Sequence, residues 1–455
     1  MCGIVGIYNH PEASRIAYLG LYALQHRGQE AAGIVSADGH RLYSHRQMGL
    51  VADIFNQNRL DTLPGNAAIG HVRYATSGAS LLKNTQPLVL DYSRGEIAVA
   101  HNGNLVNAQT LRGEFEAHGS IFQSTTDTEI LIHLLASFRE KDLIERIIAS
   151  LKRVQGSYSL LILTKSRMIA ARDPYGWRPL VLGELNGSPI VASETCALDL
   201  VEAKYRREVE PGEVLIFDGE GTHSVKPFPT PPKKAYCIFE HVYFARPDSK
   251  IFGRNVYEIR KGFGRQLAKE HPVEADMVVP VPDSGVPAAL GYSEESGIPF
   301  QLGLIRNHYV GRTFIEPTDQ IRHFGVKVKL NAVKDLVAGK RVVLIDDSIV
   351  RGTTSRKIVK MLRDAGAKEV HFRISCPPTK WPCFFGIDTP DRKELIAATH
   401  SLEEIRRYIT CDTLAYLSIE NMFYFEKNHG EWFCDACFSG SFPIPPTDHP
   451  DIGAE

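Results

Sequence analysis

Short apolar runs recur along the first half of the chain, at Ile69 to Val72, Ile97 to Ala100, Ser159 to Leu163 and Met168 to Ala171, each closed by turns built on Gly, Asn and Asp. Runs of that length between such turns read as strands, and the series points to an α/β fold rich in antiparallel strands. Two helices interrupt it, Ser14 to Gln25 and Thr128 to Phe138; in the second, Ile130, Leu131, Leu134, Leu135 and Phe138 recur at helical spacing. Both are expected to pack on sheets. In the second half, Met277 to Val281 and Arg341 to Ile345 are β-branched runs, followed by an amphipathic stretch, Thr354 to Ala365, that stops at Gly366. A further run at Val370 to Ile374 completes strand, loop, helix and strand, a βαβ unit with a parallel sheet. Between the halves, Lys226-Pro-Phe-Pro-Thr-Pro-Pro-Lys-Lys234 has the proline and lysine content of a linker. The expected domains are therefore residues 2–230 and 231–455.

Length agrees with that division, since 455 residues exceed what one hydrophobic core usually supports. A formal net charge of -1 with no long block of Lys or Arg argues against nucleic acid or a membrane surface as partner. No apolar run has the length of a membrane span. The start, Met1-Cys2-Gly3-Ile4-Val5-Gly6-Ile7, lacks a secretory signal, so a cytoplasmic location is expected. In that compartment the eight cysteines are expected to be catalytic, metal-bound or buried rather than paired in disulfides.

Removal of Met1 leaves Cys2 with a thiol and a free α-amine on one residue. The ordinary pKa values, about 8 for the amine and about 8.5 for the thiol, are close enough for the amine to take the thiol proton directly or through one water. Downstream, in order, come Gln25-His26-Arg27-Gly28, His71-Val72-Arg73-Tyr74-Ala75-Thr76, His101-Asn102-Gly103-Asn104 and Thr126-Asp127-Thr128-Glu129. Acyl transfer from an amide needs donors for the tetrahedral oxyanion, which the Asn102 side chain and the Gly103 N–H can provide. A free amino acid needs a guanidinium for its carboxylate, from Arg73, and a carboxylate for its ammonium, from Asp127. This ordered set resembles the glutaminase domain of the N-terminal-nucleophile amidotransferases. The resemblance implies an αββα sandwich, these roles for Cys2, Asn102, Gly103, Arg73 and Asp127, and a place for Arg27 among the glutamine contacts.

In the second half, Val342 to Ile345 leads into Asp346-Asp347-Ser348-Ile349-Val350-Arg351-Gly352-Thr353-Thr354-Ser355. An apolar strand thus ends in two acids, and a small, hydroxyl-rich loop opens a helix. Backbone N–H groups and hydroxyls at a helix N-terminus suit a phosphate dianion, here Thr353, Thr354 and Ser355 with Gly352 allowing close approach. Asp346 and Asp347 can take ribose hydroxyls, directly or through Mg²⁺. The string, with Arg351 in it, resembles the phosphoribosyl pyrophosphate signature of type I phosphoribosyltransferases. Asp283-Ser284-Gly285 after another strand then resembles their pyrophosphate loop, with Ser284 a candidate magnesium contact. Arg306 to Arg322, holding Tyr309, Arg312, Thr313 and Gln320, resembles the loop that closes on the substrate.

Together the halves, with Phe239-Glu240-His241-Val242-Tyr243-Phe244-Ala245-Arg246-Pro247-Asp248-Ser249 at the junction, resemble the glutamine phosphoribosylpyrophosphate amidotransferases over nearly the whole chain. The resemblance implies glutamine and phosphoribosyl pyrophosphate as substrates, phosphoribosylamine, glutamate and pyrophosphate as products, Mg²⁺, a homotetramer and feedback inhibition by purine nucleotides. The pair Cys434-Asp-Ala-Cys437 by itself leaves zinc, iron and sulfur, or a redox dithiol open. One branch of the family carries a 4Fe-4S cluster, and resemblance to its ligand segments assigns Cys237, Cys383, Cys434 and Cys437 to it, as a structural staple of the C-terminal tail. That branch often has a propeptide before the catalytic cysteine, whereas Cys2 here follows Met1, so maturation is expected to need only methionine removal and cluster loading. Cys196, Cys376 and Cys411 are left as packing residues. Two competing readings stand beside this one. Another glutaminase-type amidotransferase has no reason to carry the Asp346 to Ser355 loop. A non-catalytic regulator that senses phosphoribosyl pyrophosphate has no reason to keep Cys2, Arg73, Asn102 and Asp127.

Overall fold

Strand-forming runs in the first half do more than alternate; they split between two sheets whose apolar faces meet. The computed structural model describes residues 1–74, 80–228, 233–308, 330–428 and 430–449. Among these, the first sheet has seven strands in the spatial order Lys204–Glu208, Val181–Leu185, Ser188–Ala192, Gly3–Tyr8, Ala67–Arg73, Ala31–Ala37 and Leu42–Met48. The second has six, Gly221–Val225, Val214–Asp218, Met168–Arg172, Gly156–Leu163, Gly95–Leu105 and Leu88–Tyr92. Every pairing within both is antiparallel.

Ile4, Val35, Ala98, Ala100, Leu161, Met168, Val191 and Leu215 are buried in the seam between the sheets. On the outer face of the first sheet, the helix Ala13–Ala23 and the short helix Thr195–Leu200 cover Val5, Ile34 and Ile190. On the outer face of the second lie Ala108–Ala117, Thr128–Ser137 and Leu143–Arg153, over Val99, Leu160 and Ile162. The layers run helix, sheet, sheet, helix, the expected αββα sandwich.

The two expected helices of the first half form, and among the further helices described there three are six residues or longer: Ala108–Ala117, Leu143–Arg153 and Thr195–Leu200. The second carried a legible signal. Asp142 caps it, accepting from the N–H groups of Ile144 at 2.8 Å and Glu145 at 3.1 Å. The other two have no side-chain N-cap of their own.

In the second half, four parallel strands stand in the order Met277–Pro280, Arg341–Asp346, Glu369–Ile374 and Thr413–Tyr416. The helices Val256–Glu270, Val286–Ser296 and Thr353–Asp364 bury Phe263, Ala289, Ile358 and Leu362 with the strand residues Val343, Leu344 and Phe372. The strand Arg341–Asp346 is central, and the carboxyl end of a parallel strand is where ligands bind in such sheets. Residues 229–232 of the expected linker lie outside the described residues. Tyr236–Cys237 pairs in parallel with Phe433–Cys434, so the C-terminal tail returns to the junction between the halves. Among the described residues no helix is long and apolar enough to cross a membrane.

Candidate active sites

Cys2 precedes Gly3–Tyr8 in the middle of the first sheet, and Gly95–Leu105 of the second sheet brings Asn102 beside it. The Cys2 N–H donates to Asn102 Oδ1 at 3.2 Å, and the thiol lies 3.5 Å from the Tyr74 carbonyl. Among the described residues buried Asn102 Nδ2 has no hydrogen-bond partner, which leaves an unused donor beside Cys2. Gly103 has φ +155°, and a Cβ there would stand 2.1 Å from the Ser157 carbonyl oxygen, so only glycine fits. Of the three histidines in these motifs, burial lowers His71 to about 3, which keeps it neutral. The His101 ring engages Thr128 Oγ1 at 3.1 Å and the Ser157 carbonyl at 3.2 Å.

Arg73 ends the strand Ala67–Arg73, buried, with Nη1 paired to Glu30. Asp127 is buried too; its Oδ2 accepts the Leu105 N–H at 2.9 Å and lies 3.7 Å from His101 Nδ1. Arg73 thus precedes Tyr74, whose carbonyl meets the Cys2 thiol, and Asp127 meets the strand that carries Asn102. Ala75 and Thr76 lie outside the described residues.

Arg27 differs from the expectation that it touches glutamine. It is fully buried, and its Nε donates to the Cys2 carbonyl at 2.9 Å. Nη1 reaches Glu194 at 2.5 Å and Glu240 at 3.0 Å, while Nη2 reaches Glu240 at 2.8 Å and the Met1 sulfur at 3.8 Å. A guanidinium has five N–H donors: four go to Cys2, Glu194 and Glu240, and the fifth to Met1. Arg27 holds the cysteine from behind and reaches Glu240 beyond the linker. Burial works against the Glu194 carboxylate, but His26 and Arg27 more than offset it and hold its pKa below the usual range. Glu30, Glu194 and Glu240 were absent from the residues picked out of the sequence. Glu240, an acid inside the apolar string Phe239 to Phe244, carried the one available signal, since a buried charge requires a partner.

Met1 is itself buried, with its sulfur 2.7 Å from Arg178 Nη1. Burial lowers its α-amine to about 6; Cys2 opposes that shift, and Arg178 and Arg27 add to it.

At the second site, Asp346 and Asp347 end the central parallel strand, both buried. Burial and the neighbouring Asp347 charge raise Asp346 well above the usual carboxylate range. Burial also raises Asp347, against hydrogen bonds from Ser284 and Ser348 and the charge of Arg260. Gly352, at φ +74°, starts the helix Thr353–Asp364, which has no side-chain cap. Its first N–H groups are left to a ligand, with Thr353 and Thr354 exposed and Ser355 buried. Asp283 pairs with Arg306, and Arg351 lies 3.3 Å from Glu394. Gly285 precedes the helix Val286–Ser296, and a Cβ on it would stand 2.5 Å from the Ile345 carbonyl oxygen, so the two loops are in contact. Tyr309, Arg312, Thr313, Gln320 and Arg322 lie outside the described residues.

The cysteines sort into two groups, all free thiols. Cys196, Cys376 and Cys411 are buried in packing positions, as expected. Cys237, Cys383, Cys434 and Cys437 converge. Burial pushes Cys437 well up, with the charges of Cys237, Cys383 and Cys434 adding to it, and burial pushes Cys237 up to about 11. Among the described residues no group of three or more His, Cys, Asp or Glu side chains could hold a metal ion.

A glutamine amidotransferase domain matches residues 71–200, and a phosphoribosyl transferase domain matches residues 254–382. The chain is 56% identical to amidophosphoribosyltransferase 1, chloroplastic, of Arabidopsis thaliana over 98% of its own length and 79% of that protein's. It is 52% identical to the amidophosphoribosyltransferase of Bacillus subtilis, over 97% and 94% of the two chains. A solved structure of the glutamine phosphoribosylpyrophosphate amidotransferase from B. subtilis, complexed with ADP and GMP, superposes with a TM-score of 0.93 at 50% identity, covering 98% of each chain. Fold, paired domains and near full-length identity agree: the chain belongs to the amidophosphoribosyltransferase family, enzymes that move the amide nitrogen of glutamine to phosphoribosyl pyrophosphate at the first step of purine biosynthesis.

Proposed function

We propose that Cys2, freed of Met1, is the nucleophile of the glutaminase reaction, with its own α-amine as general base. The amine takes the thiol proton as sulfur bonds to the amide carbon of glutamine, and returns it to the leaving nitrogen as the C–N bond breaks. Water then cleaves the thioester to glutamate. Asn102 Nδ2 and the Gly103 N–H stabilise the oxyanion in both steps. Arg73 and Asp127 hold the carboxylate and ammonium of glutamine, and Arg27 positions Cys2. The observation that carries this reading is Asn102, whose Oδ1 engages the cysteine nitrogen while its Nδ2 is buried and unpartnered.

Ammonia released at Cys2 attacks the anomeric carbon of phosphoribosyl pyrophosphate, and pyrophosphate leaves. Gly352, Thr353, Thr354 and Ser355 bind the 5-phosphate, with Arg351 beside them. Asp346 and Asp347 bind the ribose hydroxyls, Asp283, Ser284 and Gly285 form the pyrophosphate loop, and Arg312 is a further contact of phosphoribosyl pyrophosphate. The raised, adjacent carboxyls of Asp346 and Asp347 suit a cation, and with Ser284 they would hold Mg²⁺, which neutralises charge on the pyrophosphate. Cys237, Cys383, Cys434 and Cys437 would hold a 4Fe-4S cluster with a structural role. The domain boundary falls near residue 230. A homotetramer, a cytoplasmic location and inhibition by purine nucleotides complete the proposal; the ADP and GMP in the B. subtilis structure support the last.

The test is glutamate release from anaerobically purified protein, with and without phosphoribosyl pyrophosphate, with iron content read on the same sample. Release stimulated by the acceptor, with about four irons per chain, is expected. Iron-loaded, folded protein that binds phosphoribosyl pyrophosphate yet releases no glutamate would return the chain to the sensor reading.

A further inference from the structure

The strand that carries Asn102 and Gly103 belongs to the first domain, yet part of what it rests on comes from the second. Gly386 is buried against it: a Cβ at Gly386 would stand 2.9 Å from the Gly103 carbonyl carbon, 3.0 Å from its Cα and 3.2 Å from its oxygen. The two residues before Gly386 are hydrogen-bonded to the same stretch. Asn104 Nδ2 donates to the Phe384 carbonyl at 2.8 Å. Ser157 Oγ donates to the Phe385 carbonyl at 2.7 Å and accepts the Asn104 N–H at 3.1 Å, so it bridges the two segments. Arg178 Nε donates to the Phe385 carbonyl at 3.0 Å.

A second contact lies just past the end of the strand. Asp448 in the C-terminal tail accepts the N–H groups of Gln109 at 2.7 Å and Thr110 at 3.2 Å, and its own N–H donates to the Val106 carbonyl at 2.9 Å. It supplies the cap that the helix Ala108–Ala117 lacks.

We infer that the Phe384-Phe385-Gly386 segment is a positioning element for the oxyanion donors: it sets where the Gly103 N–H points, so the glutaminase reaches its working geometry only with the second domain docked. The inference rests on Asn102 and Gly103 being the oxyanion donors. An oxyanion donor acts in the transition state and little in the ground state, so displacing it lowers kcat and leaves KM. Gly386 has φ +101°, and the atoms a methyl would meet are all backbone, so Gly386→Ala moves the strand itself.

The experiment compares the parent, Gly386→Ala, Asn104→Ala and Cys2→Ala as full-length protein. It measures glutamine-dependent and ammonia-dependent synthesis and affinity for the γ-aldehyde of glutamate. Addition of the Cys2 thiol to that aldehyde forms an S–C bond and a tetrahedral oxyanion held by the same donors. Gly386→Ala is expected to lower glutamine-dependent kcat about tenfold or more, against about 100-fold or more for outright loss of a donor. Its aldehyde affinity should fall by the same factor, with KM for glutamine and ammonia-dependent synthesis within about twofold of the parent. Asn104→Ala, the milder change, should shift kcat and aldehyde affinity together by about threefold. If Gly386→Ala fails to fold, Asn104→Ala decides alone. Raised KM at unchanged kcat, or equal loss of both syntheses, overturns the inference. Glutamate release by Cys2→Ala would instead overturn the assignment of the site on which the inference rests.

Discussion

The two sites hold their buried charges in opposite ways. Around Cys2 the buried arginines have opposite partners within the chain: Arg73 with Glu30, Arg27 with Glu194 and Glu240. At the end of the parallel sheet, Asp346 and Asp347 are buried beside each other, with Arg260 and two serine hydroxyls as their compensation. The difference teaches where ligand charge is needed. On the proposed assignment the glutaminase half offers a neutral donor, Asn102 Nδ2, to a charge that develops only during reaction. On the same proposal the acceptor half calls for a cation, because a buried pair of like charges is costly until one joins it.

The contrast can be broken most directly at Cys2. Cys2→Ala should abolish glutamine-dependent synthesis and leave synthesis from ammonium salts intact; loss of both in a folded protein would mean the sites do not divide the labour. Asn102→Ala comes next, lowering glutamine-dependent kcat by about 100- to 1,000-fold with little change in KM, and a steady-state comparison of the two parameters checks it. Asp347→Asn should lower synthesis from either nitrogen source alike, by about tenfold or more if one charge-assisted contact to substrate or cation is lost. An unchanged ammonia-dependent rate in that variant would remove Asp347 from the acceptor site.

The smallest effects are on pH. Burial that lowers the Met1 amine to about 6 should act on the Cys2 amine once Met1 is gone. The neutral amine is the active form, so glutamine-dependent kcat/KM should be lost as pH falls through a value below the ordinary amine range of about 8, and be retained above it. An acid limb at about 8 would show an amine in water. At the acid pair the raised carboxyls must lose protons to bind a cation, so apparent Mg²⁺ affinity should weaken as pH falls, over a range above the ordinary carboxylate values. Magnesium titrations at a series of pH values would check this.

Much of this was legible because the decisive groups sit in contiguous strings. Asp346 to Ser355 contains a strand end, a turn and a helix start in order, and the helix opens at Thr353, one residue before the position read from apolar spacing. Asn102 could be picked out for its donor chemistry, and the structure sets it beside Cys2. The contacts that hold Cys2 from behind could not. Glu194 meets Arg27 across 167 positions and Glu240 meets it across 213, separations that no local pattern reports. The buried partners of Arg27 were out of sight for that reason, although the residue itself was picked out. The helix Leu143–Arg153 was a different omission, since Asp142 marks its start within four residues of sequence.

The parallel pairing of Tyr236–Cys237 with Phe433–Cys434 has a consequence for synthesis and turnover of the chain. Residue 236 leaves the ribosome almost two hundred residues before its strand partner does, so this junction can close only after residue 434 has emerged. A nascent chain, or one cut upstream of residue 430, lacks both that strand and the Asp448 cap. Synthesis of the glutaminase half therefore precedes the contacts that tie it to these later segments.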